Sequence, residues 1–127
     1  MLEFEENAPE RYGLSLILGT REFTPEEIAT LYTGLANYGK FKKINYLLKE
    51  DNSRIKTMFS EGASYLTLDT LKELVRPGLN NLYKWKDPIS WKTGTSFGKR
   101  DAWACGMTPD YTVVVWVGNF SGKGNDN

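Results

Sequence analysis

The sequence predicts an α+β fold in which helices pack on an antiparallel sheet. Three observations carry that expectation. A capping box, Thr24-Pro25-Glu26-Glu27, opens a stretch whose apolar residues recur at helical spacing. Between residues 44 and 59 the spacing changes to two, as in a hairpin. Beyond a second helical stretch, residues 89–119 divide into three strand-like runs joined by connections that carry Gly, Pro and Asp. The order helix, hairpin, helix and three-stranded meander sets helices against one antiparallel sheet.

From Asn7 the chain reads Asn-Ala-Pro-Glu-Arg-Tyr-Gly, a short polar patch between turn formers, and then an apolar run over residues 14–18 before Gly19. That run is either a short buried strand or the end of a helix, because periodicity does not separate the two at this length. The next element is better defined. Thr24 can accept from the amide three residues on while Glu27 reaches back to the cap, and Pro25 suits the first helical position. Phe23 and Ile28 sit where a hydrophobic staple closes; Ile28, Leu31, Tyr32 and Leu35 continue the stripe; Gly39 offers the stop. The helix expected is 24–38, and its stripe reads as core packing or as a partner-binding face.

Ile44, Tyr46 and Leu48, then Ile55, Thr57 and Phe59, alternate on either side of the polar residues 49–53 and predict a hairpin. A second helix is expected over 61–75, burying Ala63, Leu66, Leu71, Leu74 and Val75 and ending near Pro77-Gly78. Residues 79–88 read as a loop. The three runs of the meander are 89–96, 101–107 and 111–119. In the third, Val113, Val115 and Val117 face one way and Val114 and Trp116 the other, so both faces call for cover. In the second, small Ala102, Ala104 and Gly106 alternate with Trp103, Cys105 and Met107, which predicts a helix lying close on the small side. Cys105 reads as an apolar filler.

Composition narrows the chemistry. A 127-residue chain with 40% hydrophobic residues suits one domain with a core of its own. Sixteen basic and sixteen acidic residues cancel, which argues against a nucleic-acid partner held by bulk charge. With no histidine and one cysteine, the chain has no His-based catalysis, no intrachain disulfide and too few soft ligands for structural zinc. No apolar run approaches the ~18 residues of a membrane span, and the acidic start lacks the pattern of a signal peptide. The segment Gly94-Thr95-Ser96-Phe97-Gly98-Lys99-Arg100 is one residue short of a phosphate loop and has arginine where a metal-binding hydroxyl is required.

The residues that packing alone does not explain are Lys92-Thr93-Gly94-Thr95. Glycine inside a strand costs stability and marks a bulge or a close approach to the backbone. Lysine and two hydroxyls around it suit an anionic ligand. Alternation puts Thr93 and Thr95 on one face and Lys92 with Gly94 on the other, so all four can address one ligand only from an exposed, twisted edge strand. The plainer reading is an edge strand guarded by lysine against aggregation.

The wider stretch WKTGTSFGKRDAWACGMTPDYTVVVWVGN resembles the end of the transpeptidase domain of bifunctional penicillin-binding proteins, with GLSLILGTREFTPEEIATLYTGLANYGK and FSEGASYLTLDTLKELVRPG similar to the helical segments before it. The likeness runs from about Tyr12 to Gly122 and is strongest to the 1C class. Met107 and Val114 depart from it, standing where the family more often shows an aromatic and a small residue. The resemblance implies a serine β-lactamase-like fold: a five-stranded antiparallel sheet with helices on both faces and the Lys-Thr-Gly strand along the cleft. It also implies a serine acyl-enzyme that cross-links peptidoglycan stem peptides and is trapped by β-lactams. By that likeness Lys92 supplies positive charge to the substrate carboxylate and the proton network. Thr93 and Thr95 bind the carboxylate, the Thr95 amide donates in the oxyanion hole, and Gly94 lets substrate lie against the strand. Asp101 and Trp103 are assigned to turn and packing. No cofactor is implied, and the location is the periplasmic face of the bacterial inner membrane, reached through an anchor upstream in a parent protein.

One departure bears on activity. The family's Ser-x-x-Lys helix should precede the Lys-Thr-Gly strand, yet the matches here are Ser53-Arg54-Ile55-Lys56, expected in a turn, and Ser96-Phe97-Gly98-Lys99, inside the motif segment. No Ser-x-Asn occurs. The expectation is therefore a C-terminal portion of a transpeptidase domain, residues 1–127, without nucleophile and inactive alone. The alternative is a non-catalytic pseudo-transpeptidase or interaction module. In the family order the third run also pairs with a strand absent here, leaving an apolar edge open to homodimerisation, to cover by another segment, or to poor solubility.

Overall fold

The computed structural model describes residues 8–48, 54–74 and 89–124. Helix α1, Ala8–Tyr12, runs into a 3₁₀ helix, Gly13–Leu18, which ends at Gly19 in the left-handed region with its N–H donating to Leu16 O (3.1 Å). The apolar run is thus a helix end rather than a strand, and it is not buried: Leu14, Ile17 and Leu18 all face outward among the described residues. Three residues per turn stack Leu14 over Ile17 on one ridge with Leu18 on the next, and all three are exposed.

Helix α2, Pro25–Ala36, starts as its cap predicts. The Thr24 hydroxyl accepts from the Glu27 N–H (3.2 Å), and the Thr24 N–H donates to the Glu27 carboxylate (2.8 Å). Gly39 ends it, at φ 84°, donating to Gly34 O (2.9 Å). A Cβ on Gly39 would also stand 2.3 Å from Phe59 O, so only glycine closes this turn. Ile28, Leu31, Tyr32 and Leu35 are half-buried. The tightest contact of α2 is Gly34, where a Cβ would stand 2.2 Å from the Phe41 ring.

The hairpin contracts to its base. Strands β1, Lys40–Phe41, and β2, Lys56–Thr57, pair Lys40 with Thr57 and Phe41 with Lys56, and Met58 N–H adds a bond to Gly39 O (3.0 Å). Residues 42–48 are irregular, with Tyr46 and Leu48 exposed, while the expected turn at 49–53 lies outside the described residues. Of the alternating residues there, Ile44 alone is half-buried among those described. Pairing persists only where Phe41 packs edge-on to Phe59 (5.8 Å) beneath α2.

Helix α3, Glu61–Lys72, is capped by Ser60, whose hydroxyl accepts from the Ala63 N–H (3.2 Å). Its inward face differs from the one expected. Ala63, Leu66 and Leu74 are exposed, whereas Ser64 is fully buried and Leu68 and Leu71 half-buried; Val75, Pro77-Gly78 and residues 79–88 lie outside the described residues. A small serine lets the helix approach closely, which apolarity alone does not predict.

Strands β3, Ser90–Thr95, β4, Asp101–Met107, and β5, Thr112–Gly118, form one antiparallel sheet in the order β3-β4-β5. The register joins Gly94 to Trp103 and Trp103 to Trp116, so side chains sort cleanly into two faces. Helix α2 packs on β4 and β5, and α3 on β3. Both lie on the face of Ser90, Cys105 and Met107, all buried, where the Ser90 hydroxyl donates to Leu68 O (2.7 Å). The helices therefore cover the larger side chains of β4, not the small side expected. On the opposite face Val113, Val115 and Val117 remain exposed. Cover on both faces was expected, and only one has it among the described residues.

The buried apolar side chains of the described residues are Phe41, Cys105 and Met107. Among the described residues that is a thin core. The architecture is nonetheless α+β, helices on an antiparallel sheet.

Candidate functional site

Lys92, Thr93, Gly94 and Thr95 lie side by side on β3, all exposed, in the outermost strand of the described sheet. The backbone has a defined polarity there. Ser96 N–H donates to Asp101 O (3.0 Å), and bonded and non-bonded pairs alternate along an antiparallel ladder. With the register continuous from Ser90 to Thr95, the amides and carbonyls of Lys92 and Gly94 turn toward β4. Those of Thr93 and Thr95 turn to the open side.

Two local details mark that side. The Lys92 ammonium donates to Thr93 O (2.5 Å), placing a cation against the strand edge. A Cβ on Gly94 would meet nothing within 4 Å, so no part of the described chain demands glycine. The cost of glycine in a strand is thus left without an internal reason.

Behind the strand a carboxylate ties three strands together. Asp101 Oδ2 accepts from the Ser96 hydroxyl (3.1 Å) and Oδ1 from the Trp116 indole N–H (2.9 Å), while the Asp101 N–H donates to Ser96 Oγ (2.8 Å). Trp116 leans on Trp103 (6.2 Å between centroids) and meets Phe120 edge-on (6.4 Å). The sequence assigned Asp101 and Trp103 to turn and packing and gave no sign of Ser96 and Trp116 as its partners. These contacts span 5 and 15 residues and follow no period. The signal that could have found them is Gly118 opposite Asp101: a Cβ there would stand 2.5 Å from the Trp116 ring.

Ser96 and Lys99 do not form the helical turn of a Ser-x-x-Lys motif. Ser96 is extended (φ −71°, ψ 160°), Gly98 and Lys99 have φ of 73° and 51°, and the serine hydroxyl is engaged by Asp101. Ser53 lies outside the described residues, and Lys56 falls in β2. Cys105 is buried beside Tyr32 of α2; burial pushes its thiol above the ordinary 9.0, away from a reactive thiolate. Among the described residues, no group of three His, Cys, Asp or Glu could hold a metal ion, and no helix is long and apolar enough to cross a membrane.

No family model matches the chain. Individual relatives do. It is 35% identical over 110 residues to penicillin-binding protein 1C of Escherichia coli K12, covering 87% of this chain and 14% of that protein. It is 37% identical over 79 residues to penicillin-binding protein 1A of Clostridium acetobutylicum, covering 61% of this chain and 10% of the relative. To penicillin-binding protein 1A/1B of Bacillus subtilis 168 it is 26% identical over 146 residues, 94% of this chain and 16% of the relative. The chain thus spans between about a tenth and a sixth of the length of these relatives. Identity of 35% over 87% of the chain shows that it belongs to the penicillin-binding proteins.

Proposed function

We propose that this chain is the C-terminal portion of a serine D,D-transpeptidase domain and supplies the Lys-Thr-Gly strand of its substrate cleft. The observation that carries the reading is the open side of β3: an exposed lysine, two threonines whose backbone groups face outward, and a glycine with empty space beside it. In the parent protein Lys92 supplies positive charge to the substrate carboxylate and the proton network. The hydroxyls of Thr93 and Thr95 bind that carboxylate. The Thr95 amide is one oxyanion-hole donor, an interaction whose loss typically costs ~3 kcal/mol of transition-state stabilisation. Gly94 admits the donor peptide against the strand. The serine nucleophile comes from elsewhere in the parent, which cross-links peptidoglycan stem peptides at the periplasmic face of the inner membrane and is acylated by β-lactams.

Alone, the chain is inactive. Its sequence offers no Ser-x-Asn, and Ser96-x-x-Lys99 runs through a short 3₁₀ turn broken by left-handed Gly98 and Lys99 rather than an α-helical turn. The same observation favours a second reading, a non-catalytic module that retains the sheet without the chemistry. Intact mass after incubation with benzylpenicillin separates the two, using this chain and a protein extended about 250 residues toward the N-terminus, the upper size of a single domain. An adduct on the longer protein only supports the transpeptidase. An adduct on neither supports the module, and an adduct on the short chain would contradict its inactivity.

The edge of β5 is the outer side of the described sheet opposite β3. In the isolated chain we expect it to pair with a second copy or to limit solubility. A monodisperse monomer in sedimentation, with slow exchange at all amides of residues 113–117, would rule out an open edge.

A further inference from the structure

We propose that Asp101 is a positioning residue for the transpeptidase site, holding the end of β3 so that the Thr95 amide points into the cleft; this rests on the reading of the Lys-Thr-Gly strand given above. The geometry is that of a clamp across the whole sheet. One carboxylate oxygen of Asp101 takes the hydroxyl of Ser96, the residue directly after Thr95, at 3.1 Å. The other takes the indole N–H of Trp116 on β5 at 2.9 Å. The Asp101 amide closes back on the same serine oxygen at 2.8 Å, and the Ser96 amide on the Asp101 carbonyl at 3.0 Å. Four hydrogen bonds therefore meet at one aspartate, three of them to the residue next to the proposed oxyanion donor.

The far end of the clamp is built to fit. Gly118 faces Asp101 across the ladder, and a Cβ there would stand 2.7 Å from Asp101 Oδ1 and 2.5 Å from the Trp116 ring. Glycine leaves room for the indole to lie over β5 and reach the carboxylate. Trp116 is held in turn against Trp103 and Phe120. The strand end needs such support because β3 has a neighbour on one side only within the described sheet, and its turn to β4 passes through two left-handed residues, Gly98 and Lys99. A donor displaced by ~1 Å can cost a hundredfold in rate. Asp101 touches no substrate. It acts through Ser96 on the Thr95–Ser96 peptide, the unit adjoining the one that carries the Thr95 amide.

The test uses the full-length protein that contains this chain, with benzylpenicillin as probe and rapid kinetics that separate non-covalent affinity from the acylation rate constant. Melting temperature is followed in parallel. Asp101→Ala should slow acylation about a hundredfold with affinity changed less than about threefold. Asp101→Asn should recover to within about fivefold of the parent, since an amide can still accept from the indole and donate to Ser96 Oγ. Ser96→Ala, which removes both bonds of the Ser96 hydroxyl but leaves its amide on the Asp101 carbonyl and spares the link to β5, should slow acylation about tenfold. The inference is overturned if Asp101→Asn is as slow as Asp101→Ala, if acylation falls only in step with melting temperature, or if no variant is slower. Those results are distinct from failure of the parent protein itself to be acylated, which would overturn the transpeptidase reading and this inference with it.

Discussion

On one face of the three-stranded sheet Met107 is 2% exposed, Ser90 3% and Cys105 5%; on the other, Val115, Val113 and Val117 are 50%, 58% and 66% exposed. The same strands supply both faces, and by side chain the open face is the more uniformly apolar. What separates them is cover. Helices α2 and α3 lie on the first face, and Ser90 is tied to α3 through Leu68 O. Alternation along a strand says which residues share a face. It does not say which face a helix will take, and a row of valines is evidence of a buried environment only when something is present to bury it.

That contrast can be broken most directly at Met107. Truncation to alanine should cost about 3 kcal/mol, transfer and cavity together, and remove most of the cooperative urea transition of so thin a core. Next in size is Cys105→Ser, which puts a hydroxyl under α2 without a partner and should cost about 2 kcal/mol in the same titration. On the open face Val115→Thr should stay within about 0.5 kcal/mol, since its environment is already wet. A loss of 2 kcal/mol or more there would mean that the valine face is covered in solution.

Alkaline pH sharpens the comparison further. Burial raises the Cys105 thiol above 9.0 and, with the nearby Cys105 charge, the Tyr32 hydroxyl above 10.0. Both groups are neutral when protonated, so the folded state holds these protons more tightly than the unfolded chain. Their stabilising contribution is complete below about pH 9 and is lost as pH rises through the raised values. Urea titrations between about pH 8 and 11 should show that decline, and Cys105→Ala should flatten the thiol part of it. The smallest effect on stability belongs to Gly94→Ala, within about 0.5 kcal/mol because the new methyl meets open space, yet in the full-length protein it should slow acylation by benzylpenicillin. Unchanged acylation would remove Gly94 from the site.

Legibility in the sequence followed the range of the forces involved. The α2 start was readable because a capping box is settled within four residues. The meander was readable because its turns carry their own chemistry: Thr108 Oγ1 accepts from the amides of Asp110 and Tyr111, holding the β4–β5 connection. The hairpin at 44–59 was over-read. Its alternation was real, but Tyr46, Leu48 and Ile55 stay exposed, and among the described residues pairing survives only beside Phe41 and Gly39. The inward face of α3 was misassigned for a related reason, since close approach selected Ser64 over larger apolar neighbours. At the candidate site the four motif residues were named from the sequence, while Ser96, Trp116 and Gly118 were not, because their contacts are made across strands.

The sequence by itself determined the local alphabet of this protein: where α2 and α3 are capped, where the last three strands turn, and which residues share a strand face. It also determined that Lys92, Thr93, Gly94 and Thr95 are adjacent, and with the relatives it places the chain among the penicillin-binding proteins. These follow from interactions between near neighbours, or from identity itself. Only the tertiary structure decided that the helices sit on the Cys105 and Met107 face, that the valine face stays open among the described residues, and that Asp101 joins the end of β3 to β5. Each of those depends on close packing and directed hydrogen bonds between residues distant in sequence, and a one-dimensional pattern carries no term for either.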